Sequence, residues 1–410
     1  MKTFAQPTFA NQIKAIGDVL KELKSKYIAI QIYSDNDYSY KFTDGQNFFF
    51  EAKREDKPMG DAWKITGSIH KFLDICKCVK KDTLDVKISY EQGPTPKTSK
   101  LIFTILEKDG GEIVAELPND DPNANIPNFF NTDHLYNSIV IPAIRAKDIA
   151  AHIKEASGLL ETNSYSSYAT ALHFYVLSNP ERVKISTING RHITERIFDI
   201  HGSGGSLHIK KEDIGAIAKL MSVTDSKVEI RWDYVKDCHQ YDPPQHNTVE
   251  VTGWMSDWTT MILRFDEPSN NRVKNPDVSL IGKNEKVLSE FVAPAAKILD
   301  LCKKEIGSTK DVDVIFEKGK ITFHNTKSNM RKVKEHNFLL TEPVNARLNG
   351  SLLYKFLKLM PLDDSCHLKF MGPESDKEGE ISLCEVCSNF TGSEHFGWLM
   401  AKNDDQEFYN

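Results

Sequence analysis

Residues 214–221, Ile-Gly-Ala-Ile-Ala-Lys-Leu-Met, followed by the alternating Val228 and Ile230, carry the pattern that decides the fold of this chain. Apolar residues at helical spacing indicate a helix that lies on a sheet, and a period of two after the helix indicates a half-buried strand. We therefore predict a helix that is followed directly by a strand of the sheet it covers.

The same helix–strand pattern occurs three times along the 410 residues. It recurs at residues 72–79 before Val86 and at residues 352–360 before Leu368. Val86 and Val228 are 142 positions apart, and Val228 and Leu368 are 140 apart. A second helix is predicted upstream of each copy, around Ile13, Ile149 and Phe291. The chain is therefore predicted to repeat one domain three times, as proteins that build a surface or a ring do.

Turn-forming residues mark the boundaries between the copies. Residues 117–128 and 266–277 are rich in Pro, Asn and Asp, which cannot continue a helix or a central strand. The predicted domains are 1–131, 137–266 and 280–410. Each should hold two helices on one face of an antiparallel sheet of six to eight short strands, an α+β arrangement. Hairpin turns are predicted at residues 109–111, 189–190 and 318–320.

The composition is that of an ordinary soluble protein, with 40% hydrophobic and 27% charged residues. No stretch approaches the roughly 20 apolar residues that cross a bilayer, and the first residues lack the apolar run of a signal peptide. The seven cysteines are scattered, which favours reduced thiols over a disulfide framework. We therefore expect a cytoplasmic protein with no membrane partner and no cofactor.

The net charge of −6 argues against indiscriminate nucleic-acid binding, but positive charge concentrates in the predicted helices. The helices hold 20 Lys and Arg against 16 Asp and Glu. They are predicted at residues 10–26, 67–82, 145–161, 210–225, 285–306 and 349–364. Projection at 100° per residue places lysines away from each apolar face, which either suits loose contact with phosphates or is an ordinary solvated helix face. These lysines are Lys14, Lys21, Lys71, Lys77, Lys81, Lys147, Lys154, Lys219, Lys286, Lys297, Lys304, Lys355 and Lys358.

The segment 141–193 resembles the middle domain of the bacterial sliding clamp, the β subunit of DNA polymerase III. In that family an apolar strand and a helix precede a hairpin with the signature Thr-Asp-Gly-His-Arg-Leu. Here residues 186–193 read Ser-Thr-Ile-Asn-Gly-Arg-His-Ile, so one residue is inserted, Asn replaces Asp, and His and Arg are transposed. Residues 398–400, Trp-Leu-Met, resemble the apolar strand that ends the family's chain.

The resemblance implies a ring around duplex DNA that binds polymerase and clamp loader through short linear peptides and catalyses no reaction itself. The lysines would face DNA without reading its sequence. The peptide pocket would consist of Tyr168, Ala169, Thr187, Arg191, Ile193, Pro268, Val273, Trp398 and Met400. Two chains would join head to tail as a homodimer through an edge strand at 112–115, with Ile113 and Ala115, and a helix with Lys297 and Ile298. Residues 403–410 extend beyond the pocket, and 406–409, Gln-Glu-Phe-Tyr, loosely imitate a partner peptide.

A zinc- or carboxylate-dependent DNA-processing enzyme is the alternative interpretation. Its best metal candidate is Cys384 and Cys387 with Cys366, His367 and His395. The two cysteines of the pair should point to opposite faces of a strand, however, which disfavours a shared ion. The glycine-rich residues 201–206 lack the Lys-Ser/Thr of a P-loop, so we predict a hairpin loop there.

Overall fold

A computed structural model describes 15 segments of the chain. They are residues 9–33, 40–52, 62–122, 135–162, 167–178, 181–189, 191–232, 248–256, 259–266, 285–306, 311–342, 346–361, 364–373, 381–388 and 394–401. The α-helices are α1 (Phe9–Leu20), α2 (Ile69–Cys78), α3 (Ala143–Ser157), α4 (Lys211–Val223), α5 (Ala295–Ile306) and α6 (Gly350–Leu359). Short 3-10 helices lie at Pro96–Thr98 and Ser167–Thr170. None of the described helices is long and apolar enough to cross a membrane.

The strands fall into three groups along the chain. The first group is β1 (Tyr27–Tyr33), β2 (Tyr40–Thr43), β3 (Phe48–Ala52), β4 (Ala62–Ser68), β5 (Thr83–Glu91), β6 (Lys100–Glu107) and β7 (Glu112–Pro118). The second is β8 (Asn137–Pro142), β9 (Ala171–Val176), β10 (Arg182–Asn189), β11 (His192–Asp199), β12 (His201–Ser203), β13 (Ser206–Lys210), β14 (Lys227–Trp232), β15 (Thr248–Ser256) and β16 (Thr259–Asp266). The third is β17 (Glu285–Pro294), β18 (Val312–Glu317), β19 (Lys320–Asn325), β20 (Met330–Glu335), β21 (Leu339–Leu340), β22 (Ala346–Asn349), β23 (Ser365–Pro373), β24 (Leu383–Ser388) and β25 (Glu394–Met400).

The α+β class and the helix–strand repeat are confirmed. The pairs α2–β5, α4–β14 and α6–β23 correspond to the three predicted copies, and every strand pairing in the described residues is antiparallel. Residues at helical spacing on α2 are buried, including Ile69, Phe72 and Ile75. At the start of α6 the side chain of Asn349 accepts a hydrogen bond from the backbone N–H of Leu352, at 3.0 Å. The two later groups hold nine strands each, more than the six to eight expected.

The prediction of a helix over 285–306 is wrong in its first half. Residues 285–294 form β17, in which Ser289, Phe291 and Ala293 are buried at a period of two. The helix α5 begins only after Pro294. Phe291 therefore belongs to the sheet, and the predicted DNA-facing Lys286 is an exposed residue of a strand.

Two compact units divide the chain. The first comprises Met1–Ala151, Ile200–Gly205 and Glu212–Ser269, and it contains a nine-stranded sheet, β12-β8-β14-β15-β16-β3-β2-β1-β4, and a three-stranded sheet, β5-β6-β7. Helices α1 and α2 pack so closely in this unit that a Cβ at Gly17 would lie 2.6 Å from that of Cys76.

The second unit comprises His152–Asp199, Ser206–Lys211 and Asn270–Asn410. It contains a nine-stranded sheet, β13-β9-β10-β11-β25-β24-β23-β17-β21, and a four-stranded sheet, β20-β19-β18-β22. Helices α5 and α6 pack together in it. Sheet continuity thus assigns the predicted middle segment partly to each unit, and the three domain boundaries stay a prediction.

The glycine-rich segment 201–206 is not the predicted hairpin loop. Its first residues form β12, which pairs with β8, while Ser206 begins β13, which pairs with β9. The segment therefore leads from one sheet to another, because its two short strands find different partners. Hairpins do form at the three predicted turns, between β6 and β7, between β10 and β11, and between β18 and β19.

Candidate DNA-facing helices, sheet edges and partner groove

The predicted DNA-facing lysines separate into two classes. Seven of them are exposed and have no ion-pair or hydrogen-bond partner for the side chain among the described residues. These are Lys14, Lys21, Lys81, Lys147, Lys154, Lys286 and Lys297. All except Lys286 lie on a helix or within three residues of one, and we call these six the free helical lysines.

The other six lysines bind groups of the protein itself. Lys71 lies 3.4 Å from Asp120, and Lys304 lies 2.6 Å from Asp300 on its own helix. Lys355 donates a hydrogen bond to the carbonyl of Gly158, at 2.6 Å. The remaining three are Lys77, Lys219 and Lys358. Helical projection identified these side chains as lying off the apolar face, but it could not show that carboxylates share the same surface.

Lys77, Lys219 and Lys358 occupy the same place in the repeat, because each is the ninth residue of its helix, α2, α4 or α6. Lys219 binds Asp18 of α1 at 2.9 Å, and Lys358 binds Glu155 of α3 at 2.7 Å. Each of these ion pairs joins helices from neighbouring copies of the repeat. Lys77 instead binds Asp74 of its own helix, which lowers the pKa of the Asp74 carboxyl through a hydrogen bond.

Each nine-stranded sheet contains one junction between copies of the repeat. In the first unit β3 pairs with β16, and in the second unit β11 pairs with β25. The second junction requires Gly397 of β25, whose φ is 132°. A Cβ at this position would lie 1.8 Å from the carbonyl oxygen of Ile193, so only glycine allows the strands to pair.

In the third copy the strand that corresponds to β3 and β11 is β20, and in the first copy the strand that corresponds to β16 and β25 is β7. Each of these two strands lies at the edge of its sheet. The prediction of an edge strand at 112–115 is confirmed: Val114 is 58% exposed, and Ile113 and Ala115 are half-buried. On β20, Val333 is 53% exposed and is flanked by basic residues. Edge strands with exposed apolar residues can pair with another chain.

The predicted interface residue Ile298 is fully buried in the core of its own unit. Its apolar side chain lies on the inner face of α5. Only Lys297 of the predicted helical pair is exposed and able to contact another chain. The sequence analysis missed a second exposed sheet edge, β20, which the apolar Met330 and Val333 among basic residues could have indicated.

At the β11–β25 junction Ile193, Trp398 and Met400 share one face of the sheet with Arg191 at one end, and we call this surface the candidate partner groove, although Ile193 itself is only 7% exposed. Ile193 pairs with Trp398, and the backbone N–H of Met400 donates a hydrogen bond to the carbonyl of Arg191 at 3.1 Å. Met400 is 45% exposed and Arg191 is exposed. The Asn189 side chain fixes the hairpin by accepting from the backbone N–H groups of Arg191 and His192.

Two other predicted pocket residues do not contribute to this surface. Thr187 is fully buried, and its hydroxyl lies 2.7 Å from that of Thr194, on the opposite face of the hairpin from Ile193. Ala169 is also buried. Tyr168 lies in the second 3-10 helix, but its side chain is outside the described part of the structure, as are Pro268 and Val273.

His192 lies on the opposite face of the same junction from Ile193, where it packs against α6. Its ring meets Phe356 of α6 edge to face at 5.8 Å, and neither ring nitrogen has a hydrogen-bond partner among the described residues. Burial, with a smaller contribution from the Lys355 cation, lowers the pKa of His192 to about 4. The residue is therefore neutral at pH 7 and contributes to packing.

The residues of the predicted metal site do not come together in the structure. Cys384 pairs with Phe370 and Cys387 pairs with His367, so the two cysteines lie on opposite faces of β24 as predicted. Burial raises the pKa of the Cys387 thiol to about 11 and raises those of Cys366 and Cys384 further. Among the described residues no three His, Cys, Asp or Glu side chains are grouped to hold a metal ion. The His395 side chain lies outside them.

Solved structures share the whole fold of this chain. The Helicobacter pylori beta clamp bound to a DNA ligase peptide matches with a TM-score of 0.62 and 13% identity over 96% of this chain and 98% of that one. DNA polymerase III subunit beta from Pseudomonas aeruginosa matches with a TM-score of 0.63 and 13% identity over 96% of both chains. The same subunit from Borrelia burgdorferi, in complex with a natural product, gives 0.65 and 12% over 96% of both.

Sequence comparison does not detect this relationship. No protein-family model matches the chain, and no curated protein matches it. The agreement therefore lies in the order and pairing of the strands and helices over nearly the whole length of both chains. The chain has the fold of the bacterial sliding clamp, the β subunit of DNA polymerase III.

Proposed function

We propose that this chain is a DNA sliding clamp, a non-catalytic protein that closes around duplex DNA as a homodimer and tethers polymerase and clamp loader. The observation that carries the proposal is the match to clamp structures over at least 96% of each chain. One of those clamps holds a DNA ligase peptide, which supports short linear peptides as partners here.

The repeated junctions support the head-to-tail dimer. Two junctions, β3–β16 and β11–β25, form within the chain, while the corresponding strands β20 and β7 remain edges. Pairing β20 of one chain with β7 of a second repeats the same junction, and two chains complete it twice. Lys77 fits this arrangement, because in α4 and α6 the corresponding lysine binds a carboxylate on a helix of the adjoining copy.

The six free helical lysines support loose contact with DNA. Lys14, Lys147 and Lys154 are flexible cations with no carboxylate partner in the described structure, and lysine makes fewer fixed bidentate bonds than arginine. A closed ring stays on DNA by topology, so weak contacts to phosphates suffice and do not stop sliding.

A ring closed by a disulfide tests the proposal without a loader. Val114→Cys and Val333→Cys place thiols on the two exposed edges, and oxidation in the presence of a plasmid should trap the dimer around it. We expect the trapped protein to stay with circular DNA in roughly 1 M salt, where phosphate contacts are lost, and to leave when the DNA is linearised. A chain without the added cysteines is the control. Equal release from circular and linear DNA would show that the protein does not encircle its partner.

A further inference from the structure

Two ion pairs between helices follow one rule in the repeat. The ninth residue of α4, Lys219, binds Asp18 of α1, and the ninth residue of α6, Lys358, binds Glu155 of α3. Asp18 and Glu155 occupy equivalent places, because each lies two residues before the last residue of its helix. The second helix of one copy therefore binds the end of the first helix of the preceding copy, and we call this contact a helix junction.

The first helix of the third copy, α5, carries a cation at the corresponding place. Lys304 lies two residues before Ile306, the last residue of that helix. The residues that follow, 307–310, are Gly-Ser-Thr-Lys and add no carboxylate. Burial supports the alignment, since the residues four, eight and eleven positions before the end are buried in all three first helices. These are Ile16, Gln12 and Phe9 in α1, Ile153, Ile149 and Ala146 in α3, and Cys302, Ile298 and Ala295 in α5.

Lys77 of α2 and Lys304 of α5 hold the two halves of a helix junction that does not form within the chain. Their side chains are 74% and 67% exposed, whereas the four side chains of the two completed ion pairs are only 36–40% exposed. Each lysine binds an aspartate of its own helix, Asp74 at 2.7 Å or Asp300 at 2.6 Å. Both lysines are therefore accessible to a second chain.

Building on the proposed dimeric ring, we infer that its third helix junction brings Lys77 of one chain against Lys304 of the other and is weakened by this like-charge contact. Like charges at neighbouring helix positions destabilise by about as much as opposite charges stabilise. Asp74 and Asp300 offset part of the repulsion, and the edge strands β7 and β20 supply the attraction. The junction between chains is then the one that separates most readily, as a ring that admits DNA requires.

Charge reversal at either lysine tests the contact. Lys304→Glu recreates the charges of the two completed junctions, and Lys77→Glu produces the reverse arrangement. Each should lower the Kd of the dimer by about 4- to 30-fold, because the change acts in two identical interfaces. The double variant sets Glu against Glu and should return to near the parental Kd. Sedimentation over a dilution series measures Kd, and the differences should shrink in roughly 1 M salt, where the Debye length is about 3 Å.

Lys303→Glu is the matched control, because it makes the same charge change on α5 about 100° around the helix and should leave Kd within about twofold. A Kd that rises or stays unchanged with Lys304→Glu, or that falls equally with Lys303→Glu, would overturn the contact and leave the ring intact. A double variant that binds more tightly than either single variant would also overturn it. A parent chain that stays monomeric would overturn the ring and the contact together.

Discussion

Pairing of β20 with β7 between chains predicts which charges meet across the dimer interface. For each junction within the chain we take the first residue of β3 or β11 that pairs with the preceding strand of its own hairpin. This residue lies opposite a position three to five residues after the start of β16 or β25. The same offset puts Met330 opposite residues 115–117 of the second chain, and Arg331 beside Glu116. We therefore expect Glu116→Lys and Arg331→Glu each to weaken the dimer.

The expected loss in the free energy of dimer formation follows from the number of ion pairs across the two interfaces. An opposite-charge pair across exposed strands contributes about 0.5–1 kcal/mol, and like charges destabilise by a similar amount. Reversal of one partner thus costs about 1–2 kcal/mol in each interface. Because a two-chain ring has two identical interfaces, the dimer should lose about 2–4 kcal/mol, which raises Kd by about 30- to 900-fold.

The assay is sedimentation of each variant alone and of the two mixed. In a mixed dimer the introduced lysine meets the introduced glutamate in one interface, and the original pair of Arg331 and Glu116 remains in the other. Mixing should therefore restore dimers of two 46.5-kDa chains. Lys87→Glu, on β5 at the opposite edge of the same sheet as β7, controls for a general effect of charge. Mixed variants that remain monomeric, or a control that dissociates equally, would refute the proposed pairing.

Three further outcomes follow from single positions. Gly397→Ala should break the β11–β25 junction and lower the free energy of unfolding by several kcal/mol, measured by urea denaturation, while Gly110→Ala, which also has a positive φ (90°) but whose added Cβ would meet nothing within 4 Å, should cost only the backbone strain and therefore less. Burial lowers the pKa of His152 to about 3, so the unfolded state binds its proton first; as the pH falls below about 6.5 the chain should lose about 1.4 kcal/mol per pH unit at this site, and His152→Leu should remove that slope. Lys154→Glu should weaken binding to duplex DNA at low salt and make the salt dependence shallower, whereas a Lys219 variant should chiefly lose the contact with Asp18; anisotropy titrations at several salt concentrations separate the two.

The repeat was predictable because local periodicity encodes it. The segment 214–221 and its counterparts present apolar residues on one helical face, and the following strands alternate, whatever the rest of the chain does. The prediction at Phe291 failed because its apolar residues fit both periods over a short run, and Pro294 lies where the strand ends and the helix begins.

The candidate site was less predictable because side-chain partners depend on strand order and helix contacts. The sequence around each lysine does not distinguish Lys219, which binds Asp18, from Lys147, which binds no carboxylate among the described residues. Thr187 and Ile193 are close in sequence, yet the hairpin register puts them on opposite faces. The family resemblance pointed to the hairpin, and the structure shows which of its side chains share a face with Trp398 and Met400, while their role in a partner groove stays a prediction.

The sequence identity with the matched clamps is only 12–13%, and the way the strands pair explains how so few shared residues can give the same fold. The junctions between copies are made by backbone hydrogen bonds between antiparallel strands, which most side chains can accompany. Specific residues are needed only where geometry is restrictive, as at Gly397, or where charges meet, as at Lys219 and Lys358. A sequence can therefore diverge widely while strand order is kept. In the proposed dimer, the edges β7 and β20 must then carry the selectivity for a second copy of the same chain, because backbone pairing alone would accept any strand.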